Sequence, residues 1–352
     1  MPKNTGKSTE DFLAQAEQDK LRLERDRVER AAREEVRQLQ RMLELERERA
    51  ELAEQTLDFA LSIQHPPNKQ PIPVRSDKAN SAIPVLVASD WHVGETVDAR
   101  TVANRNTYDP DIARKRAVAF FQSSARLIEL ARSGVKIDTA VLAILGDIIT
   151  GYIHEELEES NALSPTEEVL FAIDLIVSGI DYLLDKAKLK KLIIPCCFGN
   201  HGRTGKKRKV STAARNSFEW LMYQFLGKLY EKDKRVEVII SDGAHLYLDL
   251  HGHVIRFTHG DDIRYQGGVG GLSIPMRKAI DSWDHFQDCQ YTVCGHWHQL
   301  LFGPDFVVNG SLIGYSAYAL SVKARFEKPQ QAFFLIDKDH GRTLSCPIRV
   351  EP

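Results

Sequence analysis

Five of the twelve histidines in this 352-residue chain, with two aspartates and one asparagine, each sit directly after a short apolar run. Ile83–Ala88 runs into Ser89-Asp90-Trp91-His92, and Thr139–Leu145 into Gly146-Asp147. Lys191–Phe198 closes on Gly199-Asn200-His201-Gly202, Val254–Thr258 on His259-Gly260-Asp261, and Tyr291–Cys294 on Gly295-His296-Trp297-His298. Taken singly, such residues are ordinary turn or core residues. Five in order, each at the end of a strand-like run, describe a site, because open α/β sheets bind ligands beyond their strand ends. Asp90 and His92 are two residues apart, as are His296 and His298, so extended backbone predicts that each pair points to one side. Glycines 146, 199 and 295 allow a tight turn and close approach of the backbone. Imidazoles mixed with carboxylate and amide oxygens suit Mn²⁺, Fe or Zn²⁺ better than Ca²⁺. Two such ions roughly 3.5–4 Å apart need a bridging carboxylate, and together they activate water for in-line attack at phosphorus.

The elements that must position these groups are legible in outline. The first three runs are short and rich in β-branched residues, as strands are. Asp109-Pro110 opens a helix carrying Ala117, Phe120, Phe121 and Leu127, and Ser164-Pro165-Thr166-Glu167 is a capping box opening another, to about Lys186. This β-α-β-α-β order predicts helices covering a mostly parallel sheet. A further helix is expected near Thr212–Tyr230, followed by the strands Val236–Ile240, His245–Leu250, Val254–Thr258, Tyr291–Cys294 and Phe306–Val308.

The amino-terminal part reads differently. From Glu17 to Glu54 more than half the residues are charged, without Gly or Pro, and apolar positions recur at Ala32, Val36, Leu39, Leu43, Ala50, Ala53, Leu57 and Ala60. The spacing predicts one helix over about residues 10–63. Two readings are open: a heptad seam, broken at Glu46 and weaker before Val28, that pairs as a homodimeric coiled coil, or a single charged helix lying on the globular domain and supported by i,i+4 pairs. The domain expectation is therefore a helix over 1–64, a proline-rich linker over 65–82 and a folded domain over 83–352.

Composition removes other classes. Hydrophobic residues make up 43% of the chain, enough for a sizeable core, which excludes general disorder. No apolar run approaches the roughly 20 residues of a membrane span, and Met1–Asp11 lacks the apolar segment of a secretory leader. Five scattered cysteines show no metal-knuckle spacing and predict no disulfide framework, so the expectation is a reduced, cytoplasmic protein without membrane partners. A net charge of −2 argues against a whole-chain polycation and leaves room for a local basic patch.

Asp-x-His, Gly-Asp, Gly-Asn-His, a strand-end His and Gly-His-x-His, in that order over about residues 83–312, resemble the calcineurin-like metallophosphoesterase superfamily. The resemblance implies a four-layer α/β/β/α sandwich and a dinuclear centre, with two divalent ions, Mn²⁺ first and Fe, Zn²⁺ or Mg²⁺ as alternatives. It implies that Asp90, His92 and His298 hold one ion, that Asn200, His259 and His296 hold the other, and that Asp147 bridges them. It makes His201 the non-ligand imidazole that protonates the leaving oxygen or steadies transition-state charge. Many members carry Asp or Glu after that histidine to orient it; Gly202 stands here, so the orienting group must come from elsewhere. The Gly-Asn-His-Gly-Arg-Thr and Gly-Asp-Ile-Ile-Thr-Gly segments are similar to a phage and prophage branch related to DNA-repair exonucleases.

Substrate choice falls to the loops. Arg203, Lys206, Lys207, Arg208 and Lys209 put five cations directly after His201, a substrate-binding set able to neutralise the phosphates of DNA or RNA. The alternative for this run is a solvated loop. The glycines around 267–271 read as a mobile rim rather than a phosphate cradle, and His154–Glu159 as an acidic helix start. Three functions follow: a metal-dependent nuclease, a phosphatase or phosphodiesterase for a small nucleotide or phosphoprotein, and a non-enzymatic scaffold that kept the fold.

Overall fold

The computed structural model of the chain describes residues 9–62, 80–265 and 271–351. It divides into two compact units, Met1–Ser76 and Asp77–Pro352. The prolines of the expected linker and the glycines 267–270 lie outside the described residues. In the first unit a single 54-residue helix, α1, runs from Thr9 to Ser62. Ion pairs such as Arg33–Glu29 and Arg49–Glu46 link its successive turns. Each is exposed and contributes only a few tenths of a kcal/mol, about 0.3–0.5.

The second unit is built in chain order from β1 (Ala82–Ala88), α2 (Pro110–Arg132), β2 (Thr139–Ile144), α3 (Glu155–Ser160), α4 (Pro165–Lys186), β3 (Lys191–Cys196), α5 (Phe218–Tyr230), β4 (Val236–Ile240), β5 (His245–Leu250), β6 (His253–Thr258), α6 (Ser273–Asp284), β7 (Tyr291–Cys294), β8 (Leu301–Phe302), β9 (Phe306–Val308), α7 (Ala317–Ser321), β10 (Gln330–Asp337) and β11 (Gly341–Arg349). Both helix starts follow the local sequence chemistry. Asp109 accepts a hydrogen bond from the Ile112 amide with Pro110 next in line, and Ser164 with Glu167 closes the capping box. The helix expected from Thr212 begins later, at Phe218, capped by Ser217, after a single 3₁₀ turn over Ala214–Asn216.

Six strands form one sheet in the order β11-β10-β1-β2-β3-β4, and five form the other, β5-β6-β7-β9-β8. β1 to β4 are parallel, each joined to the next across a helix, whereas β10 pairs antiparallel with β1. Leu86, Leu142, Leu192 and Ile194 face α2, α4 and α5, where they pack on Phe120, Ile180, Leu183 and Leu226. The opposite face, with Val85, Val87, Val141 and Ala143, packs on Leu246, Ile255, Phe257, Val293 and Val307 of the second sheet. Met276 and Ile280 of α6 close the far side on Phe306 and Val308. The architecture is thus the α/β/β/α sandwich, with the central strands β1 and β10, and β2 beyond Thr139, buried along their length, as continuous apolar strands require.

Candidate metal centre

The strand-end loops meet. Asp90 and His92 follow β1, Asp147 follows β2, Asn200 and His201 follow β3, His259 follows β6, and His296 and His298 follow β7. Among the described residues, three groups of side chains have ligand atoms within 4.8 Å of one another: Asp90 with His92 and His298, His92 with Asp147 and His201, and Asp147 with His259 and His296. Asp147 belongs to two of the three. Asn200 joins the last group, with its Oδ1 3.1 Å from His259 Nε2.

The expectation of extended backbone at Asp90/His92 and His296/His298 is overturned. These four residues and Asp147 all have left-handed backbone, with φ of 56°, 48°, 69°, 51° and 50° respectively. Left-handed geometry costs an L-residue about 1–2 kcal/mol, so the surroundings must impose it. They do. The Asp90 amide donates to the Gly146 carbonyl at 3.0 Å, and the His92 amide to the Asp147 carbonyl at 3.1 Å. The His296 amide donates to both Asp90 carboxylate oxygens, at 2.9 and 3.0 Å. A Cβ at Gly199 would overlap the Asp147 carboxylate, and one at Gly295 would overlap Ser89 and Asp90. Those two glycines are there for close approach.

The donor chemistry fits a divalent cation. His259 donates from Nδ1 to the Leu145 carbonyl at 2.7 Å, which leaves Nε2 to face the site. That Nε2 meets Asp147 Oδ2 at 3.0 Å, Asn200 Oδ1 at 3.1 Å and His296 Nδ1 at 3.3 Å. A proton on Nε2 can satisfy one of these three acceptors; a cation among them satisfies all. In the other half, His92 Nε2 lies 3.2 Å from His298 Nε2, which lies 3.4 Å from Asp90 Oδ1. His92 Nδ1 is buried with no hydrogen-bond partner among the described residues.

Electrostatics point the same way. Burial would raise the Asp147 carboxyl, but the His259 and His201 imidazoles outweigh it and hold it well below its ordinary value. Burial would lower His259, yet the Asp147 charge and hydrogen bond carry it well above the usual imidazole value. His298 is likewise raised, its hydrogen bond with Asp90 overcoming burial. Burial, with neighbouring imidazoles, lowers His92 and brings His296 down to about 3. The Asp147 carboxylate calls for positive charge here, while His92 and His296 resist supplying it by protonation.

His201 has the orienting partner that Gly202 cannot supply. Its Nδ1 donates to the Thr150 carbonyl at 2.8 Å, so Nε2 is the nitrogen that faces the site. Burial lowers its pKa. Its ring lies 4.6 Å from that of His92, within the same donor group as Asp147.

The basic run is placed beside this centre, though not as five free cations. Arg203, Lys207, Arg208 and Lys209 line a recess with Asn200, His259, Asp261 and Asp262. Arg208 is ion-paired to Asp261 at 3.0 Å and to Asp262, and Lys209 donates to Asn216 Oδ1 at 2.7 Å. Lys206 reaches Glu155 at 3.1 Å and Glu158 at 3.6 Å on α3, so the acidic segment is a helix start that also anchors the loop. Arg203 is half-buried, and its Nε has no hydrogen-bond partner among the described residues.

Sequence spacing missed the groups behind Asp90. Ser89 Oγ donates to Asp90 Oδ2 at 2.5 Å and accepts from Asn309 Nδ2 at 2.8 Å. Gln331 Oε1 accepts from the Ser89 amide and from Trp91 Nε1, both at 3.1 Å. These contacts fix the loop that carries Asp90 and His92. Asn309-Gly310 after β9 repeats the strand-end pattern, so it carried a signal; Gln331, inside the buried β10, carried none.

No family model and no curated protein matches the chain. Solved structures do resemble it. An archaeal phosphodiesterase is 13% identical, with a TM-score of 0.34 over 75% of this chain and 99% of that one. Vps29 from Entamoeba histolytica, complexed with Zn²⁺, is 12% identical, with a TM-score of 0.29 over 76% and 100%. A conserved protein of Streptococcus pneumoniae, described as a predicted phosphoesterase, is 14% identical, with a TM-score of 0.27 over 76% and 98%. Likenesses at this level assign this chain no activity.

Proposed function

We propose that the chain is a metal-dependent phosphodiesterase, with two divalent ions held by Asp90, His92 and His298 and by Asn200, His259 and His296, Asp147 lying between them. The observation that carries this reading is the Asp147 carboxylate, buried and shared by two donor groups at the carboxyl ends of parallel strands. Bound divalent ions, Mn²⁺ foremost, supply Lewis-acid polarisation at phosphorus and acidify an attacking water. The protein's own part is arrangement. Left-handed loops present the ligands, the Leu145 carbonyl fixes the His259 tautomer, and the Thr150 carbonyl leaves His201 Nε2 to meet the leaving oxygen.

The substrate we infer is nucleic acid, in keeping with the phage-type variant of the Gly-Asn-His segment, because a polymer offers flanking phosphates to the cations around the recess. Changing Lys206, Lys207, Arg208 and Lys209 together to Ser is expected to leave hydrolysis of a small diester nearly unchanged and to weaken DNA or RNA binding. The log–log salt slope should fall by up to roughly 3 to 4 units, or by about 2 if Lys206 and Arg208 keep their carboxylate partners. Unaltered affinity and slope would give the lead to a small nucleotide or phosphoprotein substrate. The pairing of Lys206 and Arg208 with acidic neighbours already favours that second reading.

The apolar spacing along α1 supports a homodimer through that helix. Light scattering should then show two copies for the full chain and one for a chain beginning at Ser81. Monomers in both would remove the dimer.

A further inference from the structure

Two carboxylates outside the proposed ligand set reach into the same loops. Glu219 of α5 and Glu168 of α4 are both fully buried. Glu219 Oε1 accepts from the Ile148 amide at 2.6 Å and the Ile149 amide at 3.4 Å, and its Oε2 from the Gly199 amide at 2.7 Å. Glu168 accepts from the Thr150 amide at 3.1 Å and the Gly151 amide at 2.8 Å. Four consecutive N–H groups, from residue 148 to 151, leave the sheet directly after Asp147 and end on these two side chains. A buried N–H left without a partner costs about 1–3 kcal/mol, so the loop is held to the two helices.

The division of contacts is informative. Glu219 ties the residue after Asp147 to the residue before Asn200, and so fixes two proposed ligands relative to each other. Glu168 holds the amide of Thr150, whose carbonyl orients His201. The fit leaves no slack. A Cβ on Gly202 would lie 2.7 Å from Glu219 Cγ and 3.0 Å from its Oε2, and a Cβ on Gly94 would overlap Glu168. The Glu219 carboxylate therefore occupies the space into which a side chain at position 202 would grow.

We propose that Glu219 is a positioning residue for the metal centre, setting Asp147 against Asn200, and that Glu168 is a positioning residue for His201, acting through Thr150. This rests on the metal-centre reading above. Neither residue needs to touch substrate. Glu219, 17 positions further along the chain, fills the space beside Gly202, while the orienting of His201 falls to Thr150 and Glu168.

The test uses the full-length protein, Mn²⁺ titrated by calorimetry and the ¹⁵N signals of the His201 imidazole. In Glu219→Gln an amide N–H faces a backbone N–H, and Mn²⁺ affinity should fall about 10- to 100-fold, the usual effect of removing a group that orients metal ligands. Glu168→Gln should leave Mn²⁺ affinity unchanged while the His201 Nδ1 proton loses its fixed position. Glu219→Ala should lose affinity, and adding Gly202→Asp should restore part of it, whereas Gly202→Asp alone should lower it. Should Glu219→Gln fail to fold, Gly202→Ala displaces Glu219 without deleting it and should weaken Mn²⁺ binding in the same way. Lower melting temperatures with unchanged Mn²⁺ affinity and unchanged His201 signals would make both residues merely structural and overturn the proposal. A wild-type protein that binds Mn²⁺ tightly but hydrolyses no phosphodiester would sink the proposed function and leave the positioning roles standing, because calorimetry reads the metal alone.

Discussion

Asp147→Asn is expected to lose metal and phosphodiesterase activity together. The substitution is nearly isosteric, and the Asn oxygen can still accept the His201 amide, a bond of 2.8 Å in the native protein. The fold should therefore survive. What disappears is the negative charge shared by two donor groups, and with it the partner that raises His259. Two like-charged ions would then face each other with less shielding, so the loss should exceed that of a peripheral ligand such as His298. Turnover should fall on the order of 10³-fold, the upper end of what one preorganised electrostatic group contributes. Metal analysis of the purified variant is the check. Two ions bound at full activity in Asp147→Asn would remove Asp147 from its bridging place.

His201→Ala separates catalyst from ligand. With His201 as the group that meets the leaving oxygen, both metals should remain and turnover should slow by about 10² to 10⁴, the range of general acid–base assistance. The deficit should shrink for a diester that leaves as nitrophenolate, since that anion needs no proton. His201 also stands within ligand distance of His92 and Asp147, so the opposite outcome has a clear meaning. Lost metal in His201→Ala would make it a ligand.

What could be read before the fold was known followed from local chemistry. β-branched runs marked the parallel strands, Pro at the first helical position marked α2 and α4, and glycine beside Asp, Asn or His marked the strand ends that converge. What could not be read depends on partners far away in the chain. Gln331 bonds to the Ser89 amide across 242 positions, and Glu219 to that of Ile148 across 71, with no period to connect them. The antiparallel place of β10 beside β1 follows from no helix crossover and has no local signal. The two-residue spacing of Asp90 and His92 suggested the right convergence for the wrong reason. Their loops turn through left-handed backbone, held by Gly146, Asp147 and neighbouring amides, and no strand alternation is involved. The basic run was legible as charge, but not as charge already paired with Glu155, Glu158, Asp261 and Asp262.

One titration tests most directly whether the metal centre hydrolyses phosphodiesters. Metal-free full-length protein is supplied with Mn²⁺ in steps while bound metal and bis-p-nitrophenyl phosphate hydrolysis are followed in the same sample. The expected result is no hydrolysis without metal, a rate that rises with occupancy to a plateau near two ions per chain, and complete loss on chelation. Hydrolysis that is indifferent to chelation, or a protein that binds no divalent ion at Asp90, His92, Asp147, Asn200, His259, His296 and His298, would contradict it.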